Sequence, residues 1–215
     1  MYYNAIQAAV LEGKPRLVEK RIREALAEGL SPKELLEKGL LSALDMIQDR
    51  VCEDEEQIVM TLSCARAMKK GIDSIEAEMG EDLYTQNETV LIGTVSGDLH
   101  DVGKNIVALY FRGAGFRVVD LGVDVSPDRF LQALREHPEI RIVCISSLLK
   151  TAHRDLQHII GKIRGTMKRR ELFLMIGGGS VTAEDAKEYG ADCYTENAVA
   201  AVNAAKAYIA GLGSP

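Results

Sequence analysis

The sequence predicts an α/β protein: an N-terminal four-helix bundle followed by a doubly wound, five-stranded parallel sheet. Three observations predict it. Apolar residues in 1–80 recur at three- and four-residue spacing. After residue 89 they fall instead into short, β-branched, nearly continuous runs. Helical segments then alternate with those runs, which is the pattern of successive βα units.

The helical half is read from "AIQAAVL", "LVEKRIREAL", "LLEKGLLSALDMI" and "IVMTLSCARAM". Gly13 and Pro15 separate the first two helices, and Gly29 suits the position just past the end of the second. "SPKE" offers Ser31 as N-cap, Pro32 at N1 and Glu34 at N3, a capping box for the third helix. A loop near "CEDEE" precedes the fourth, whose first turn is acidic, as the helix dipole favours. The bundle has two readings, a stability module or a cover for the loop at 97–105.

The sheet is read from "TVLIGTV", "RVVDLG", "IRIVCIS", "LFLMIGG" and the weaker "ADCYT". Helices are expected at 103–113, 127–137, about 152–165, 183–189 and 196–210, with Ser126-Pro127 and Thr182 as caps. A flavodoxin-like (Rossmann-type) strand order follows. The polar stretch "MGEDLYTQNE" (79–88) reads as a linker, dividing the chain into 1–85 and 89–215.

Composition narrows the function classes. The 215 residues are 47% apolar and 27% charged, ordinary for a globular chain. A net charge of −6, no tryptophan and only four phenylalanines speak against a nucleic-acid partner. The four cysteines are scattered without a CxxC pair, so neither a disulfide framework nor a zinc site is expected, and Cys144 reads as a small buried hydrophobe. No basic-then-apolar leader opens the chain, and no run approaches the roughly 18 apolar residues of a membrane span. The expectation is a cytoplasmic protein.

In a doubly wound sheet, ligands bind beyond the carboxyl ends of the strands. After the first strand stands "GDLHDVGKN" (97–105), which places Asp98, His100 and Asp101 between Gly97 and Gly103. A histidine there is a metal ligand if one ring nitrogen is held by an acceptor, and Asp98 is placed to be that acceptor. The competing reading is a solvated loop with an Asp N-cap and nothing bound. After the third strand, Ser146 and Ser147 in "CISSLLKTA" either bond a ligand or cap the next helix. After the fourth, "IGGGSVTAED" presents Gly177, Gly178 and Gly179, bare backbone against which a large flat group can lie. That run lacks the GxGxxG and GK[ST] spacings, so neither a dinucleotide site nor a P-loop is supported.

"GTVSGDLHDVGKNIV" (93–107) is similar to the cobalamin-binding signature DxHxxG in its longer form GDxHDxGKN. Together with "SSLL" (146–149), "GGGSVTAEDAKEYGAD" (177–192) and "SCARAMKKGID" (63–73), it resembles the corrinoid proteins of methyltransferase systems, relatives of the cobalamin module of methionine synthase. The resemblance implies that 1–85 is a helical cap and 89–215 a cobalamin-binding domain. It implies His100 as lower axial cobalt ligand, with Asp98 bonded to its far nitrogen. It further implies a cofactor-binding role for Gly97, Asp101, Val102 and Gly103. Ser146, Leu148, Gly177, Gly178 and Gly179 would flank the slot for the nucleotide tail. The cofactor implied is cobalamin or a related corrinoid.

The function implied is methyl carriage. Cobalt(I) would accept a methyl group from a substrate-specific methyltransferase, and a second methyltransferase would pass it to tetrahydrofolate or a thiol. A reductive activase is a further implied partner. A cobalamin-dependent sensor is the alternative, and such regulators usually need an output domain for which this chain leaves no segment. Two departures stand out. The hydroxyl that would complete a relay with Asp98 and His100 falls at Ala152, with Lys150 in place of another Thr, and Thr151 is a possible substitute. The usual upper-face positions appear as Val51, Asp54, Gln57 and Val59. His153 and His158 are five apart and read as no metal pair, and Met46, Met60 and Met68 read as bundle core.

Overall fold

In the computed structural model, which describes residues 1–43, 46, 55–79, 88–166 and 171–212, the chain divides into two units, Met1–Thr85 and Gln86–Pro215. The basic stretch at 167–170 and most of the segments at 79–88 and 52–56 lie outside the described residues. So do Val51 and Asp54, together with the side chains of Gln57 and Val59.

The N-terminal unit contains α1 (Tyr2–Leu11), α2 (Pro15–Ala27), α3 (Pro32–Glu34, running into a π-helical stretch Leu35–Leu41) and α4 (Glu55–Met79). Ile6, Val10, Val18, Ile22, Leu35, Leu40, Met68, Ile72 and Ile75 form its buried interior. Gly29 ends α2 with φ +81, and the Leu30 N–H returns to Ala25 O at 3.1 Å, closing the last turn. Four expectations are corrected here. Ser31 precedes the third helix but makes no side-chain cap. Glu34 is drawn away from a capping box by stronger partners, the Lys38 ammonium and the Tyr3 hydroxyl. The helix widens to π winding where Gly39 lies against Ile6, whose Cγ2 is 3.3 Å from the position a Cβ would take. Of the three methionines, only Met68 is core; Met46 and Met60 are exposed.

The second unit is a parallel sheet of order β2-β1-β3-β4-β5, the flavodoxin-like arrangement. Its elements are β1 (Thr89–Thr94), α5 (Val102–Gly113), β2 (Arg117–Asp120), α6 (Pro127–Glu136), β3 (Ile140–Ser146), a 3-10 turn (Lys150–Ala152), α7 (His153–Thr166), β4 (Phe173–Gly177), α8 (Ala183–Tyr189), β5 (Cys193–Thr195) and α9 (Ala198–Leu212). β1 is buried at every position because helices cover both of its faces. Helices α6, α7 and α8 pack on one face around Phe130, Leu134, Leu156, Ile160 and Ile176, while α5 and α9 pack together on the other. Ser126 caps α6, and Thr182 forms a full capping box with Asp185 at α8. Cys144 is buried, and burial pushes its thiol pKa up.

Because β1 and β3 are neighbours whose following helices leave toward opposite faces, their loops diverge and open a crevice between them. The loops at 95–101 and 147–149 are its two walls. Among the described residues, no helix is long and apolar enough to cross a membrane.

Candidate functional site

Gly97 turns the chain at the end of β1 with φ +79, a conformation that side chains resist. The turn sends Asp98 inward, where it is fully buried. Asp98 Oδ1 accepts from the His100 N–H at 3.0 Å and from His100 Nδ1 at 2.7 Å. Asp98 Oδ2 accepts from the Leu148 N–H at 2.6 Å. Burial alone would raise this carboxyl's pKa. The amide bonds from Leu148 and His100, and then the His100 ring, outweigh it and hold the group below the ordinary carboxylate range.

An ionised carboxylate only accepts, so His100 Nδ1 carries a proton, and in the tautomer this selects the lone pair is at Nε2. The His100 side chain is 54% exposed, and among the described residues no group bonds Nε2. Leu99 and Leu148 beside it are 71% and 45% exposed, an apolar surround for an outward-facing nitrogen. An imidazole oriented in this way by an acceptor is able to ligate a metal through Nε2.

The relay question raised by Ala152 has a geometric answer. Ala152 is buried in the apolar core and carries no polar atom to offer. The second oxygen of Asp98 is satisfied instead by a backbone amide. A fixed N–H neither takes up nor releases a proton, so among the described residues no hydroxyl relay serves this pair on that side.

The remaining predicted residues separate by what they face. Val102 begins α5, and Asp101 before it makes no side-chain cap, because its carboxylate accepts from Asn105 Nδ2 at 3.0 Å. Ser146 ends β3 between Thr94 and Gly177. The three glycines have reasons within the protein itself. A Cβ on Gly177 would lie 2.9 Å from Thr195 O, on Gly178 2.2 Å from Ser147 O, and on Gly179 2.8 Å from Leu148 Cδ1. Gly103 is different, because a Cβ there would meet nothing within 4 Å. In a helical first turn a glycine without a packing reason is a cost relative to alanine. The backbone at Gly103 is open to close approach by a bulky group.

Sequence reasoning missed the supports of the histidine loop. The buried Thr94 hydroxyl donates to His100 O at 3.0 Å. Asp124, in the loop after β2, accepts from the Gly97 N–H at 2.7 Å. Lys104 is only 2% exposed, and its ammonium reaches both oxygens of Asp120 at 2.7 and 2.6 Å. His153, which sequence patterning left unassigned, has both ring nitrogens bonded, to Tyr189 and Ser180.

Comparison with known proteins gives a consistent answer. A family model described as a B12 binding domain matches residues 88–203, and a second of the same description matches residues 2–76. The chain is 36% identical over 202 residues to the trimethylamine corrinoid protein of Methanosarcina barkeri, covering 93% of this chain and 92% of that one. It is 32% identical over 189 residues to dimethylamine corrinoid protein 2 of Methanosarcina acetivorans, covering 87% of each. In structure it is similar to a chain of the methanol:cobalamin methyltransferase complex MtaBC from Methanosarcina barkeri, with TM-score 0.71 and 27% identity over 98% of this chain and 80% of that one. The fold is also shared with the monomethylamine corrinoid protein of Methanosarcina barkeri at TM-score 0.60 and 24% identity, over 95% of this chain and 96% of that one. With its outward-facing histidine set on a buried aspartate at the switch point of a parallel sheet, the chain belongs to the B12-binding family, among the corrinoid proteins of methyltransferase systems.

Proposed function

We propose that the chain is a methyl carrier that holds a corrinoid with His100 Nε2 as the lower cobalt ligand. The observation that carries this reading is the Asp98–His100 pair, with Nδ1 fixed by a buried carboxylate and the rest of the ring exposed. When bound, the corrinoid supplies the cobalt that bears the methyl group. The protein's own part is orientation: Asp98 sets the tautomer, and the Leu148 amide and the Thr94 hydroxyl fix the loop. Leu148 and Ser146 would border the slot for the nucleotide tail, with Gly177, Gly178 and Gly179 beside it, and Gly97, Asp101, Val102 and Gly103 would lie toward the ring.

The likeness to trimethylamine and dimethylamine corrinoid proteins supports a methylated amine as methyl source. The likeness to a chain of a methyltransferase complex supports a substrate-specific methyltransferase as the loading partner. A second methyltransferase, with tetrahydrofolate or a thiol as acceptor, and a reductive activase complete the proposed cycle.

The test is reconstitution of apoprotein with hydroxocobalamin, followed by reduction to cobalt(II) and electron paramagnetic resonance. Wild type is expected to retain the corrinoid through gel filtration and to show axial nitrogen splitting from a protein imidazole, which His100→Ala loses. Retention of the same splitting in His100→Ala would remove His100 from the role. Failure of wild type to retain the corrinoid would remove the reading itself.

A further inference from the structure

Ser147 and Leu148 share one peptide unit, and both of its polar ends are engaged. The N–H is the donor to Asp98 Oδ2 at 2.6 Å. The carbonyl oxygen, Ser147 O, accepts from the Ser180 hydroxyl at 3.0 Å. The same Ser180 hydroxyl lies 3.1 Å from His153 Nε2 and 3.4 Å from the Ser147 hydroxyl, so it is held from three sides. His153 Nδ1 lies 3.1 Å from the Tyr189 hydroxyl, and the two rings stand edge to face with centroids 6.0 Å apart. A continuous chain thus runs from α8 through α7 and the loop after β4, across one peptide, to Asp98 and His100.

We propose that Ser180 and His153 are positioning residues for His100, acting through the Ser147–Leu148 peptide. The inference rests on the reading of His100 as the cobalt ligand and names what tunes it. Two physical effects carry it. A donor to the carbonyl polarises the peptide and strengthens its N–H toward Asp98. The same bond, between buried Ser147 and Ser180, fixes the plane of the peptide and so the direction in which that N–H points. The loop geometry is built for the contact. Gly178 has φ +114, and a Cβ there would lie 2.2 Å from Ser147 O, so only glycine lets the Ser180 loop close over this carbonyl. The chain positions Asp98 on the oxygen that accepts from the Leu148 N–H, with no part in proton transfer.

The test reads the apoprotein first, by nitrogen-15 NMR of the Leu148 amide and of the His100 ring nitrogens in wild type, Ser180→Ala, Ser180→Thr and His153→Phe. Ser180→Ala is expected to shift the Leu148 amide proton upfield and to speed its exchange about tenfold. It is also expected to move the His100 ring nitrogens toward tautomer averaging. Ser180→Thr, which keeps the hydroxyl, is expected to restore wild-type signals, and His153→Phe to shift them in the direction of Ser180→Ala. Once loaded with hydroxocobalamin and reduced, Ser180→Ala is expected to show smaller axial nitrogen splitting than wild type.

A merely structural tie between loops predicts otherwise: a lowered thermal midpoint with the Leu148 and His100 signals in place, and that result overturns the inference. So does a Thr variant indistinguishable from the Ala variant. Should Ser180→Ala fail to fold, His153→Phe carries the same readout, and unchanged signals there overturn it equally. Failure of wild type to bind a corrinoid would sink the functional reading while leaving the apoprotein signals to decide the positioning chain.

Discussion

Asp124 and Gly97 bind the histidine loop to the loop after β2: the Asp124 carboxylate accepts the Gly97 N–H at 2.7 Å. The contact is reciprocal, because the Asp124 N–H donates to Asp98 O at 3.0 Å. Asp124 holds this position at φ +53, the only non-glycine residue of positive φ among those described. Left-handed backbone costs an ordinary side chain about 1 kcal/mol, and aspartate tolerates it better than alanine. Loss of the bond itself costs about 1 kcal/mol. Asp124→Gly, which relieves the backbone but drops the bond, is expected to destabilise by about 1 kcal/mol, and Asp124→Ala by about 2 kcal/mol. Urea denaturation checks the order, and equal losses would show that the backbone conformation contributes nothing.

Lys104 anchors α5 to the end of β2 from inside the protein. Its buried ammonium is held by both oxygens of Asp120 and by Asn105 Oδ1 at 2.7 Å. Removing one partner of such a pair leaves an uncompensated charge, which costs about 3 kcal/mol or more when buried. Asp120, the charge left behind, is 27% exposed and keeps the Gly122 N–H, so Lys104→Ala is expected to lose about 2 kcal/mol. Lys104→Met, which refills the space, is expected to lose less. Denaturant midpoints measure both, and a loss below about 1 kcal/mol for Lys104→Ala would show that water replaces the cation without penalty.

Asp98 contributes to the acid sensitivity of the α/β unit. Its folded pKa lies below the unfolded value, about 3.9 for aspartate. The unfolded chain thus binds more protons between the two values. The stabilisation is fully present above the unfolded pKa and is lost as pH falls through the depressed folded one. Asp98→Asn keeps the size but turns an amide N–H toward one of the three donors, with an expected loss of about 2 kcal/mol at pH 7. The gap between wild type and Asp98→Asn is expected to be constant from pH 7 to about 5 and to narrow below about 4. Urea titrations at stepped pH measure it; a gap that stays constant down to pH 2 would exclude ionised Asp98 as the source.

How much of this was legible in the sequence depended on whether the partners were local. The strands β1 and β3 announced themselves because burial on both faces leaves their interiors a nearly continuous apolar run, with Arg141 of β3 the exposed exception. The Asp98–His100 pair was legible because the two residues stand two apart in one turn. Its third partner was not: Leu148 lies fifty residues on, and a backbone N–H leaves no mark on residue type. Glu34 was misread for a related reason, since Tyr3 reaches it from thirty-one residues away. The π winding at Leu35–Leu41 escaped because a short run of leucines fits more than one helical period. The glycines after β4 were legible as a requirement for bare backbone, but the contacts that require it come from Thr195, Ser147 and Leu148.

Gly178 and Gly103 are glycines for opposite reasons, and one pair of alanine substitutions separates them. At Gly178 a Cβ would meet Ser147 O at 2.2 Å with φ at +114, so the loop must move. Gly178→Ala is expected to lose about 3 kcal/mol of stability, whether or not a ligand is present. At Gly103 the helix would welcome a methyl group, since nothing lies within 4 Å and alanine is the better helix former. Gly103→Ala apoprotein is therefore expected to gain about 0.5–1 kcal/mol. If the open space belongs to a corrinoid, that same methyl group intrudes on it at a cost of about 1–3 kcal/mol. Affinity for hydroxocobalamin then falls about tenfold or more. A variant both more stable and unable to hold the corrinoid would mark Gly103 as a binding residue; one that is more stable and binds as wild type would assign the open space to solvent.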